Sequence, residues 1–138
     1  MRAGLRLAFG TFTVLPVPAG RVDRRAAGAA MALAPLVGLL LGAALAGVAL
    51  GLRALGAPTL VVAALVVAAE LLLTRALHVD GLADTVDALG SYADRDRALA
   101  IMRSPEVGPF GMAAIGVDLL VRTAAVAALL GRPWWALL

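Results

Sequence analysis

Residues 28–52 form an unbroken run of 25 uncharged positions, mostly Ala, Leu, Gly and Val. No other feature of the chain restricts its fold so strongly. At about 1.5 Å per residue, such a run makes roughly 37 Å of helix, enough to cross a hydrocarbon core about 30 Å thick with some tilt. A signal peptide fits poorly, because the run is too long, starts too late and lacks a clear small-residue cleavage site ahead of a soluble domain. Gly38, Gly42, Ala46 and Gly47 give it a small-residue face suited to close helix contact. Composition agrees: 62% of the 138 residues are hydrophobic and 15% charged. A soluble domain of this size has too much surface for its volume to hide that apolar mass.

The rest of the chain repeats the pattern. A second apolar run covers about 55–77 and a third about 108–130, so the expected architecture is all-α: a polytopic integral membrane helical protein with about three spans in a single membrane domain. Ahead of the first span, Leu5 to Pro18 is apolar but short and broken by Pro16 and Pro18, which suits an interfacial or re-entrant segment. Trp134 and Trp135 fit an interfacial aromatic belt. Arginine asymmetry sets the expected orientation. Arg2, Arg6, Arg21, Arg24 and Arg25 precede the first span, and Arg75, Arg95, Arg97 and Arg103 lie between the second and third. Only Arg53 and Arg132 fall on the other side, so the N-terminus and the segment of about 78–107 are expected to be cytoplasmic.

Several chemistries are excluded. With no cysteine there is no disulfide, thiol nucleophile or thiolate metal site, and one histidine excludes a multi-His zinc site. All 12 basic residues are arginine, against 9 acids. They flank apolar stretches and form no basic run interleaved with aromatics, which argues against nucleic acid.

Seven of the nine acids fall between Glu70 and Glu106. If the stretch from His78 to Gly90 is helical, Asp80, Asp84 and Asp87 share one stripe, at 0°, 40° and −20° for about 100° per residue. Three carboxylates on one face repel each other unless a cation sits between them. Hard oxygen ligands of this kind suit Mg²⁺, which keeps several waters and bridges to substrate phosphates. Small residues Gly81, Ala83 and Ala88 leave room for a bulky ligand. The competing reading is a solvated amphipathic helix with Asp80 as its N-cap, and spacing alone leaves both open.

The flanking residues carry the same duality. His78 is a candidate general base, although a lone histidine is more often a plain hydrogen-bonding group. A short helix is expected over Asp94 to Arg103, with Asp94 capping it and Pro105 stopping it. Arg95, Arg97 and Arg103 offer donor forks for phosphate; as a bare motif, contact with lipid headgroups or nearby aspartates is the plainer reading. Glu70, Asp118 and Arg122 each cost roughly 2.5–3.5 kcal/mol at a bilayer centre. Asp118 and Arg122 are spaced i, i+4 and are expected to pair.

The string Leu77-His78-Val79-Asp80-Gly81-Leu82-Ala83-Asp84-Thr85-Val86-Asp87-Ala88-Leu89-Gly90 resembles the LHxDGLADxxDxLG signature of cobalamin synthase. These are membrane-bound adenosylcobinamide-GDP ribazoletransferases. Three further stretches agree in order: Asp94-Arg95-Asp96-Arg97-Ala98-Leu99 through Arg103 with DRxRxLxIMK, Val107 to Gly111 with IGxFG, and Phe12 to Pro18 with Pro35 to Gly38 near the start. The chain departs at Ser104-Pro105-Glu106, where many relatives have Asp-Ser-Arg, and relatives carry further spans, so it is expected to be incomplete.

The resemblance implies a reaction at a prokaryotic plasma (inner) membrane. A hydroxyl of α-ribazole, or of its 5′-phosphate, attacks the phosphate attached to cobinamide and expels GMP. It implies Mg²⁺ held by Asp80, Asp84 and Asp87, charge neutralisation by Arg97 and Arg103, and His78 or an aspartate, Asp84 foremost, taking the hydroxyl proton. Association with further copies of the chain is open. Two other readings compete. A CDP-alcohol phosphotransferase or aromatic prenyltransferase also binds diphosphates through spaced aspartates, but the first expects DG-x-x-AR and the second an asparagine this chain lacks. A transporter using Glu70 and Asp118 as intramembrane carboxylates would move substrate or protons and tolerate Asp87→Asn.

Overall fold

A computed structural model describes residues 2–18 and 22–132. Arg21, Trp134 and Trp135 lie outside these residues. Among the described residues every regular element is a helix: α1 (Arg2–Phe12), α2 (Arg24–Ala54), α3 (Thr59–Thr74), α4 (Leu77–Gly90), α5 (Arg95–Ile101) and α6 (Pro109–Leu130). They form two compact units, Met1–Ala76 and Leu77–Leu138. Helices α2 and α6 are long and apolar enough to cross a membrane, and a third, interrupted span is available if α3 and α4 are counted together. Aliphatic side chains stand out on these helices: Leu39 is 68% exposed and Leu120 73%. An exterior of that kind matches acyl chains rather than water.

In the first unit, Asp23 starts α2 by accepting a hydrogen bond from the Ala26 N–H at 2.8 Å, and the helix runs on through Pro35. It ends at a turn built on Gly56, whose φ of 83° is readily available to glycine, before Pro58 introduces α3. Helix α1 has 11 residues, about 16 Å and too short to cross. It packs along α2 through Gly4 and Ala8. A Cβ on Gly4 would lie 2.5 Å from the Ala29 Cβ, so the two backbones touch there. Ala8, Ala30 and Val37 form the buried centre, flanked by Leu7, Phe9, Phe12, Leu33 and Leu41. Gly38, Gly42 and Gly47 have open space where a Cβ would stand, so the small-residue face of α2 is uncovered.

Helix α3 ends at Thr74, three residues short of the expected apolar boundary, with Arg75 as its C-cap. Arg75 and Ala76 both take left-handed backbone conformations, φ 55° and 53°. Such conformations are unfavourable for side-chain-bearing residues. Compensation comes from the Arg75 guanidinium, which donates to the Gly10 carbonyl at 2.6 Å and the Thr11 carbonyl at 3.3 Å. Those carbonyls end α1 and lack partners within it, so a cation there satisfies both the acceptors and the helix dipole. The Val14 N–H closes the same junction on the Leu73 carbonyl at 2.7 Å.

In the second unit, α5 carries its Asp94 cap, which accepts from the Arg97 N–H at 2.9 Å. Helix α6 begins with Gly108 at the N-cap and Pro109 in the first turn, a position where proline's missing N–H costs nothing. Asp118 and Arg122 pair within α6, Nε to carboxylate at 2.9 Å, as their spacing predicts.

Candidate active site

The acidic motif occupies α4, which begins at Leu77. Asp80 therefore sits in the first turn rather than at the N-cap, because the helical pattern already includes Leu77, His78 and Val79. Near a helix N-terminus a carboxylate is still well placed, by its interaction with the helix dipole. Val79, Ala83, Asp87 and Ala88 are buried. The stripe expected to face a ligand thus turns inward as it approaches residue 87. Asp80 is exposed, Asp84 intermediate, and Asp87 only 8% exposed.

What Asp87 meets is the start of α6. Its Oδ2 accepts from the Gly108 N–H at 2.7 Å and its Oδ1 from the Gly111 N–H at 2.8 Å. Gly108 has no side chain with which to cap its own helix, and Asp87 supplies the acceptor from 21 residues away. A buried charge is costly unless paired or hydrogen-bonded, and here two amides and the positive end of α6 face it.

The glycines around it follow from this closeness. A Cβ on Gly108 would come within 2.5 Å of Asp87 Oδ1, and one on Gly111 would overlap Asp87 Oδ2. Gly90 makes way in the same manner for the Phe110 ring, which would stand 2.6 Å from a Cβ there. Helices α4 and α6 are thereby joined by a carboxylate latch set in small residues. Ala83, whose carbonyl would lie 3.0 Å from a Cβ on Gly111, and Ala88 are both buried and leave no open room for a ligand, whereas Gly81 has open space above it.

His78, Arg97 and Arg103 are exposed. Among the described residues, no group of three or more His, Asp or Glu side chains is placed to hold a metal ion. Asp80 and Asp84 remain as i, i+4 neighbours on α4, positions whose Cβ atoms stand about 5–6 Å apart in any α-helix.

A cleft of about 370 Å³ opens beside the latch, lined by Asp87, Ser91, Ile101, Ser104, Glu106 and residues 107–110. Residue reading singled out neither the latch nor the cleft. The available signal was the absence of a capping side chain before Pro109, which requires an acceptor from elsewhere in the fold.

A family model described as Cobalamin-5-phosphate synthase matches residues 4–138. Among curated proteins, the chain is 49% identical over 134 residues to an adenosylcobinamide-GDP ribazoletransferase of Nocardioides sp., covering 96% of this chain and 58% of that protein. Proteins of the same name from Corynebacterium glutamicum and Bradyrhizobium diazoefficiens are each 41% identical, again over 96% of this chain and over 45% and 51% of their own lengths. The chain spans about half the length of the curated relatives it matches. No solved structure matches it.

Proposed function

Because the chain belongs to the cobalamin-5-phosphate synthase family, we propose that it carries the phosphate-binding centre of an adenosylcobinamide-GDP ribazoletransferase, the activity named for its relatives. The observation that carries this reading is the arrangement on α4. Asp80, exposed, and Asp84, partly exposed, stand one turn apart on a stripe of α4 whose C-terminal end, Asp87, is fastened to α6.

The reaction joins a hydroxyl of α-ribazole, or of its 5′-phosphate, to the phosphate borne by cobinamide, and the bond to GMP breaks. Phosphoryl transfer of this kind asks a protein for positioning and charge neutralisation more than for covalent help. The residues fit Mg²⁺, which commonly takes one or two carboxylates and completes its shell with water and substrate oxygens. Asp80 and Asp84 would hold it, since the Asp87 oxygens already serve two amides. When bound it would neutralise charge on the diphosphate.

Arg103, and Arg97 from α5, supply guanidinium donors for the phosphate oxygens and the departing GMP. His78, one residue into α4, takes the proton of the attacking hydroxyl. The arginine distribution supports a cytoplasmic position for the N-terminus and for the segment of about 78–107 at a prokaryotic plasma membrane. The test is GMP release from adenosylcobinamide-GDP, with α-ribazole and Mg²⁺, by membranes containing a full-length form of the protein. Normal Mg²⁺-dependent turnover by the Asp84→Asn form would refute the metal assignment.

A further inference from the structure

The cleft beside the latch has its own chemistry. Its size falls within the roughly 300–1,000 Å³ usual for small-ligand sites, and its make-up follows the same pattern: apolar walls with a few polar groups. Ile101, Val107, Pro109 and Phe110 supply the walls. The polar groups are hydroxyls and carboxylates. Ser91 donates its hydroxyl to the Ala88 carbonyl at 2.7 Å, and Asp87 is spent on amides, so neither offers a free charge. Ser104 accepts from the Glu106 N–H at 3.2 Å and fixes the turn that brings Glu106 to the cleft. Glu106 is exposed, and its carboxylate is the charged group at this opening not engaged with α6.

This lining selects among the parts of the substrates in the proposed reaction. A diphosphate would be repelled by the carboxylate and offered no cation. The benzimidazole of α-ribazole has no N–H to give Glu106. A corrin ring with its amides is far larger than the cleft. Guanine is a flat bicycle that packs against apolar walls and presents two adjacent donors, N1–H and the 2-amino group, along one edge.

We propose that this cleft is the guanine subsite of the transferase, with the Glu106 carboxylate accepting from N1–H and the 2-amino group and the apolar walls holding the ring. The assignment rests on the ribazoletransferase reading. It makes Glu106 a specificity-determining residue, and it places the GMP leaving group on the same unit as Asp80 and Asp84.

The experiment displaces a fluorescent GDP, its methylanthraniloyl reporter on the ribose, from the detergent-solubilised chain with GMP, IMP or AMP. IMP lacks only the 2-amino donor, and AMP lacks both. Loss of one hydrogen bond to a charged acceptor predicts that GMP displaces the probe at least about tenfold more tightly than IMP. Glu106→Ala brings GMP and IMP to within about twofold of each other. Glu106→Gln, which keeps the shape and one neutral acceptor, gives an intermediate ratio. Equal displacement by GMP and IMP, a preference that survives Glu106→Ala, or no displaceable binding at millimolar nucleotide overturns the proposal. GMP release from adenosylcobinamide-GDP, measured with α-ribazole and Mg²⁺ on a full-length form of the protein on which the displacement is repeated, separates the two readings: turnover without guanine preference sinks the subsite alone, and Glu106-dependent preference without turnover sinks the transferase alone.

Discussion

Replacing Asp87 with alanine removes both acceptors from the start of α6. The Gly108 and Gly111 amides lose bonds of 2.7 and 2.8 Å to a carboxylate that is only 8% exposed. Hydrogen bonds to a charged group contribute about 1.5–3 kcal/mol each, and loss of a helix N-cap costs about 0.5–2 kcal/mol. These ranges describe overlapping effects, so the sum for the latch is set at about 2–4 kcal/mol. Hydrogen exchange reads this directly, since the amides concerned exchange through local opening. A peptide covering residues 107–112 should exchange roughly 30- to 1,000-fold faster in Asp87→Ala, at about 1.4 kcal/mol per factor of ten. Asp87→Asn keeps one acceptor oxygen and should fall between the two. Asp84→Asn, outside the latch, should leave this peptide unchanged. Unaltered exchange in Asp87→Ala, combined with a raised Mg²⁺ requirement in Asp87→Asn, would refute the latch and return Asp87 to the metal.

The same geometry makes further perturbations informative. Gly111→Ala sets a methyl group against Asp87 Oδ2, and should destabilise the second unit by about 1–3 kcal/mol, seen as faster exchange in the same peptide. Asp84→Asn in a full-length protein should lower GMP release at least about tenfold and raise the Mg²⁺ concentration for half-maximal rate, whereas Asp118→Asn should leave that concentration unchanged. Arg75→Ala should free the Gly10 and Thr11 carbonyls; because the arginine is exposed, about 1 kcal/mol is expected, measured as roughly fivefold faster exchange at the Val14 amide.

Much of the architecture was legible in the chain because it is set locally. An uncharged run long enough to span lipid gives α2, Gly108 and Pro109 mark the start of α6, and Asp94 caps α5 through a residue three positions on. The Asp118–Arg122 pair needs only helical spacing. What escaped notice depends on distant partners. The wheel put Asp87 in one stripe with Asp80 and Asp84, which is geometrically sound, but the fate of that stripe is decided by two amides 21 and 24 residues further along. The break after α3 is equally opaque from the sequence, since two left-handed residues are stabilised there by carbonyls 65 and 64 residues earlier.

That last contact also has a place in time. The carbonyl end of α1 is satisfied by Arg75, so the N-terminal helix is complete long before its partner has been made. At about 5–20 residues per second, the 65 intervening residues take roughly 3–13 s to synthesise. Within that interval the residues that pack α1 on α2, Ala29, Ala30 and Val37, are all made before Arg75. The contact that closes the carbonyl end of α1 can therefore form only after the third helix has been synthesised.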